Sequence, residues 1–230
     1  VPAFLGPPAA RGGTVTPQGV SDGEVTARLE LDRASVPAGR VLGGIGAGAE
    51  VVDWLQQRLT VAACAMQLGI VKGALDLTAQ YARTREQFGR AIGTFQAVSQ
   101  RLADGYIDVL GAELTLWQAA WRLEEGLPAE KEIATAKLWA ADAGHRIAHT
   151  TVHVHGGVGI DLDGEAHRYF TAAKRLDFAR GGTTDQARLI GTLMAGEPSR
   201  DDAGTGRAAA ARRGHQARAA GRARARGRGG

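Results

Sequence analysis

One cysteine, Cys64, is all the thiol chemistry this chain of 230 residues holds, so no internal disulfide braces it. Cys64 stands in an apolar helical run, which predicts a buried structural thiol, and a chain without disulfides suits a reducing cytoplasm. No uninterrupted run of about 18 apolar residues is present, so the expectation is that nothing spans a membrane. The opening VPAFLGPPAARGG has neither a basic start nor a continuous apolar stretch, which makes it a poor signal peptide. It also lacks an initiating Met, which reads as a start inside a longer protein. Acidic residues are missing from Arg207 to Gly230, where eight arginines stand. Setting those eight aside turns the formal charge of +4 into −4 for residues 1–206. The body is therefore mildly acidic, and a whole-protein nucleic-acid interface is not expected.

Apolar residues are plentiful, at 44%, enough for one real core. Residues 1–44 read as the end of a β region. In VTARLEL, Val25, Ala27, Leu29 and Leu31 alternate with polar neighbours at the period of a half-buried strand. A strand or two cannot stand alone in water, so its partners are expected outside this chain. From about Glu50 the period changes to 3.6: Val52, Leu55, Leu59, Ala62, Met66, Ile70, Ala74, Leu77 and Tyr81 step by three or four. A second stripe runs through Phe95, Val98, Leu102, Tyr106, Val109, Leu114, Trp117 and Trp121. Gly126 and Pro128 break that helix. A third runs from about Ala129 to Val152, and shorter helical segments follow near 165–178 and 184–195. The predicted fold class is mainly α: an up-and-down helical bundle over 45–196, after a β-domain remnant over 1–44. From 197 to 230 Gly, Ala and Arg prevail without large apolar residues, which predicts a disordered basic tail. An RNA-binding arm is one reading of it, and the absence of stacking aromatics counts against that. Gly, Ala and Arg are also what GC-rich DNA yields when read out of frame.

Two stretches carry chemistry. YARTREQFGRAIGTFQ, residues 81–96, places Arg85, Gln87, Phe88 and Gly89 at the break between the long helices. A guanidinium beside a glycine and an aromatic suits a diphosphate and an adenine or ribityl chain, and equally a helix–helix turn with a surface arginine. HVHGGVG, residues 153–159, allows a two-histidine metal site, a phosphate-cradling loop or a plain turn. His145, His149 and His167 are nearby in sequence, but no zinc spacing links them, so no metal is expected.

The first stretch, extended as YARTREQFGRAIGTFQAVSQRLAD, resembles the signature of the acyl-CoA dehydrogenase C-terminal helical domain, with its R-x-x-F-G and F-Q elements at matching spacing. LELDRASVPAGRVLGGIGAG is similar to that family's exit from its middle β domain. HVHGGVGIDLDGEAHRYFTAAK is similar to its Q-x-x-G-G-x-G segment and the helix after it, and GGTTDQAR to its E-G-T-S-E-x-x-R segment. The match runs in order over about residues 20–195. It implies FAD-dependent α,β-dehydrogenation of an acyl-CoA thioester by a cytoplasmic homo- or heterotetramer. An electron-transfer flavoprotein or similar acceptor would take the electrons, and no membrane or nucleic acid is implied. By the same resemblance Arg85, Gln87 and Phe88 contact the FAD diphosphate and adenine across a subunit interface. Gly156 and Gly157 are close-approach glycines against the adenosine portion, and His153 replaces a usual glutamine. Thr183 is a further flavin contact. Arg58 either meets the CoA moiety or forms a helix-surface ion pair with Asp53 or Glu50.

The match fails at the base. The family's chemistry needs a carboxylate held against the α-carbon. Where most members have that glutamate this chain has Gly181, and at the alternative place on the first long helix it has Gln57. Neither accepts a proton. Asp185 and Asp177, each four residues from Gly181, are weak substitutes. The pattern resembles the non-catalytic subunits of actinobacterial heteromeric dehydrogenases that act on steroid side-chain CoA esters. The expectation is a flavin-completing subunit, inactive alone, with no catalytic residue of its own. An active homotetramer with a relocated base such as Asp185, and nucleic-acid binding through the tail, are the alternatives.

Overall fold

The computed structural model describes residues 3–6, 12–20, 23–44 and 46–196. The expected basic tail, 197–230, lies outside them. Five helices dominate: α1 (Gly48–Thr84), α2 (Gln96–Glu124), α3 (Glu130–His155), α4 (Ala166–Phe178) and α5 (Thr183–Gly196). The bundle read from the sequence is therefore the fold. Through Leu189 the chain forms one compact unit, and a second begins at Ile190.

Among the described residues six short strands pair antiparallel two by two. β1 (Ala3–Phe4) joins β4 (Val41–Leu42), and β2 (Gly13–Gln18) joins β3 (Thr26–Leu31). β5 (Glu86–Gln87) joins β6 (Arg90–Ala91) in the hairpin after α1. The strand expected around VTARLEL is β3, and its partner β2 belongs to this chain rather than lying outside it. Val25 before β3 is fully exposed and Leu29 and Leu31 about half so, as in a ribbon without the rest of a sheet.

The helix faces differ from the expected stripes. Cys64, Leu68, Val71 and Leu75 of α1 meet Val109 and Leu116 of α2 and Ile133 and Ile147 of α3 in the core. Val52, Leu55, Leu59 and Met66, read as core positions, are exposed, as are Tyr106, Leu114, Trp117 and Trp121 of α2. The reason is steric. Each long helix is apolar on two sides, and the side with small residues (Ala63, Ala74, Gly105, Ala112, Ala119) lets neighbouring axes approach. Ile147 and Val71, each 1% exposed, contribute roughly 1.5–3 kcal/mol apiece through burial. By length and composition α1 could cross a bilayer, contrary to the expectation from uninterrupted runs. Here it is the packing centre, in contact with α2, α3 and α4.

Polar groups also enter this core, and of the Gln67 amide only the nitrogen finds a partner. Gln67 of α1 is 1% exposed and its Nε2 donates to the Ala173 carbonyl of α4 at 3.2 Å. It passes through the space left by Gly144 of α3, where an added Cβ would stand 1.5 Å from that nitrogen. Lys137 of α3 is equally buried, and its Nζ donates to the carbonyls of Leu176 and Asp177 at 3.0 Å each. The ammonium thus closes the C-terminal end of α4, where carbonyls lack helical partners. Burial lowers the Lys137 pKa, opposed by Cys64 and Asp177.

Burial pushes the Cys64 thiol up to about 12, with Lys137 acting against the rise. The unfolded chain releases this proton from about pH 9, while the folded chain keeps it. The unfolded state then binds fewer protons, so stability falls as pH rises from about 9 towards 12. The slope from this group approaches roughly 1.4 kcal/mol per pH unit. Lys137 has the opposite sign, so the Cys64 contribution is read as a difference. Urea unfolding at pH 8 and pH 10.5 should show a steeper loss for the native chain than for Cys64→Ala. Equal losses would place the thiol in contact with solvent.

Candidate functional site

The residues singled out by the sequence gather at two ends of the bundle. At the first end, α1 stops because Arg85 turns extended (φ −75, ψ 124), and the chain reverses through β5 and β6. Phe88 and Gly89 fill the two-residue loop with φ of 54 and 78, both in the left-handed region. A phenylalanine avoids that region, yet Phe88 holds it while 94% exposed, its ring edge-on to Phe95 at 6.2 Å. Arg85 is also exposed, and among the described residues its side chain has no hydrogen-bond or ion-pair partner. Gln87 folds back instead, its Nε2 donating to the Glu86 carbonyl at 2.8 Å.

The end of α3 packs on the last turns of α1, just before this hairpin. His155 is buried and stacks on Tyr81 of α1 at 4.3 Å, and its Nδ1–H donates to the Thr151 carbonyl at 2.8 Å. Gly156 then ends the helix at φ 64, a conformation that favours glycine. Gly157 has no such backbone, and a Cβ there would meet nothing within 4 Å. Nothing inside the described chain requires its small size. His153 points outward, exposed.

At the second end a cleft of about 470 Å³ opens between α1, α3 and the turn before α5. Asp53, Gln56 and Gln57 line it from α1, Glu130 and Ile133 from α3, and Arg180 and Gln186 from the turn and α5. Gln57 and the turn holding Gly181, the two places where a base was sought, therefore border one cleft. Arg180 and Gly181 both take positive φ, 64 and 89. The turn is held by Gln186 Nε2 donating to the Arg180 carbonyl at 2.9 Å, and by Gly182 N–H donating to Asp185 Oδ2 at 3.1 Å. That bond commits one Asp185 carboxylate oxygen to the backbone at the start of α5, next to Thr183. Asp177 is buried and accepts from Lys174 Nζ at 2.7 Å. Arg58 forms neither expected ion pair: its Nη1 donates to the Trp54 carbonyl at 3.2 Å, and its guanidinium lies 4.0 Å over the Trp54 ring.

Thr60 beside this cleft and Tyr81 beside the hairpin share α1, about 30 Å apart at 1.5 Å per residue. Thr183 is thus set apart from Arg85, Phe88 and Gly157. Sequence reasoning missed Arg180, Gln56 and Glu130 and read Asp53 only as a partner for Arg58; the four come from three elements with no spacing motif between them. His145 and His149 stand 4.6 Å apart, with Lys174 Nζ 2.8 Å from His145 Nδ1. Burial, then the neighbouring His145 and Lys174, lower the His149 pKa. Among the described residues no three metal-ligating side chains converge.

Residues 46–194 match the family model for the acyl-CoA dehydrogenase C-terminal domain. The chain is 55% identical over 179 residues to the acyl-CoA dehydrogenase FadE27 of Mycobacterium tuberculosis, covering 74% of this chain and 47% of that protein. Among solved structures it is similar to the ChsE4–ChsE5 complex of Mycobacterium tuberculosis, with 51% identity and a TM-score of 0.82 over 86% of this chain and 56% of the other. It is also similar to the Tcur3481–Tcur3483 steroid ACAD, with 36% identity and a TM-score of 0.76 over 84% of this chain and 51% of the other. The chain spans about half the length of these relatives.

Proposed function

Because the chain belongs to the acyl-CoA dehydrogenase family, whose cofactor is FAD, we propose that it is the flavin-completing, non-catalytic subunit of a heteromeric enzyme oxidising the Cα–Cβ bond of an acyl-CoA. What supports this is the cleft: Gln57 and the turn holding Gly181, the two positions to which the family resemblance assigns a base, border it, and Asp185 is tied to Gly182. Asp53 and Glu130 do line the cleft, but both are solvent-exposed, whereas the base must be held dry against the α-carbon.

The residues at the other end fit FAD. Arg85 is exposed with an open fork of donors, Phe88 keeps a disfavoured backbone while wholly outside the core, and Gly157 leaves empty space in front of its backbone. Arg85 would hold the diphosphate, Phe88 would cover the adenine, and Gly156 and Gly157 would admit the adenosine portion. When bound, FAD supplies the hydride acceptor. The apolar ridge of Leu114, Trp117 and Trp121 on α2 suits a helix-to-helix contact with another subunit. Likeness to the ChsE4–ChsE5 complex and to a steroid ACAD supports a heteromer and a steroid-type thioester.

The test is flavin content. The full-length protein, alone and mixed with a second subunit of the family, is passed through gel filtration and its FAD counted by absorbance. FAD is expected only in the mixed complex, at about one per two chains. One FAD per chain in the protein alone overturns the proposal. Asp53, one helical turn before Gln57, then becomes the relocated base to test by Asp53→Asn.

A further inference from the structure

We propose that Arg180 makes the cleft between α1, α3 and the turn at 179–182 a receptor for a monocarboxylate, its head held by the guanidinium and its apolar body lying against α3 and α5. Arg180 occupies the left-handed region at φ 64, which residues other than glycine seldom adopt, and the turn is built to keep it there. Its carbonyl accepts from Nε2 of the buried Gln186 at 2.9 Å, and the next residue's N–H donates to the Phe178 carbonyl at 3.2 Å. The outcome is an arginine that lines the cleft.

Its side chain has one partner among the described residues, the neutral Gln56 Oε1, which accepts from Nη1 at 3.0 Å. A guanidinium carries five N–H donors in a rigid fork. One neutral bond leaves the rest of this exposed fork to water, and its charge without a carboxylate at ion-pair distance. That is the requirement a carboxylate meets in bidentate fashion.

The rest of the lining narrows the class of ligand. Ile133, Ala134 and Leu189 give an apolar wall for an aliphatic body. Asp53 and Glu130 share the cleft with Arg180, so the lining carries two negative groups against one positive. Both repel any anion, but a doubly charged phosphate meets about twice the repulsion that a single carboxylate does, and the carboxylate still gains the fork. This inference needs neither FAD nor a partner subunit, so it and the flavin reading can each fail alone.

The experiment titrates the 230-residue chain with hexanoate and with its neutral counterpart hexanamide, followed by NMR shifts or calorimetry. Hexanoate should bind saturably and roughly tenfold or more tighter than hexanamide, the scale of a charge-assisted bidentate contact. Arg180→Gln should erase that preference, and Arg180→Lys, which keeps charge but not the fork, should reduce it to a few-fold. Inorganic phosphate should fail to displace hexanoate. Equal binding of the two probes, a preference that survives Arg180→Gln, or displacement by phosphate at matching concentration overturns the assignment. Should Arg180→Gln fail to fold, the hexanoate–hexanamide comparison and the lysine variant still decide it.

Discussion

Arg85→Ala should strip FAD from the assembled complex while leaving the bundle as stable as before. The side chain is exposed and has no partner inside the described chain, so folding loses nothing with it. Its backbone stays pinned, N–H to the Tyr81 carbonyl at 2.9 Å and carbonyl to the Ile92 N–H at 2.8 Å. The guanidinium is therefore presented from a fixed point at the end of a helix braced by the Tyr81–His155 stack. Losing charged bonds to a diphosphate costs about 1.5–3 kcal/mol, or ~10–100-fold in affinity. Arg85→Lys should fall between, keeping the charge and losing the planar fork. The readout is a flavin fluorescence titration of the complex beside a thermal melt. An unchanged affinity with an unchanged melt would remove Arg85 from the flavin site.

Gly144→Ala should be the most destabilising single methyl in the chain, at about 2–5 kcal/mol. The added carbon would stand 1.5 Å from Gln67 Nε2 and 2.7 Å from its Cδ, deep in the packed interior. Gln67 is 1% exposed and cannot swing into water, so α1 and α3 must part or the amide must abandon Ala173. Either way a buried polar group is left without its partner and close packing is lost. The double variant Gly144→Ala with Gln67→Ala removes the collision and should recover more than half of the loss in urea unfolding. Additive losses in the pair would mean that the two positions do not touch.

Element boundaries were legible in the sequence because they are set locally. Gly126 and Pro128 end α2, and the expected third helix from about Ala129 to Val152 is α3, Glu130–His155. Helix orientation was not. The regular stripe from Val52 to Met66 looked like a core face, but the buried side runs through Cys64, Gln67, Val71 and Thr78. Two of those are polar, and their burial depends on Gly144 and Thr151, distant in sequence. The residues proposed to face a cofactor were readable through the family resemblance, since they lie in short contiguous motifs. What joins those motifs in space is the Tyr81–His155 stack, for which no local signal exists. Arg180 escaped notice because a left-handed backbone leaves no mark on residue spacing.

The ridge on α2 has a consequence for how the chain is made. Leu114, Trp117 and Trp121 are more than half exposed along one helix. In the heteromer proposed above, a cell that translates this chain faster than its second subunit would accumulate molecules with bare tryptophans, the surface that chaperones and proteases recognise. Under that proposal, matched dosage of the two genes, in one transcript or under one regulator, is a condition for keeping the protein at all.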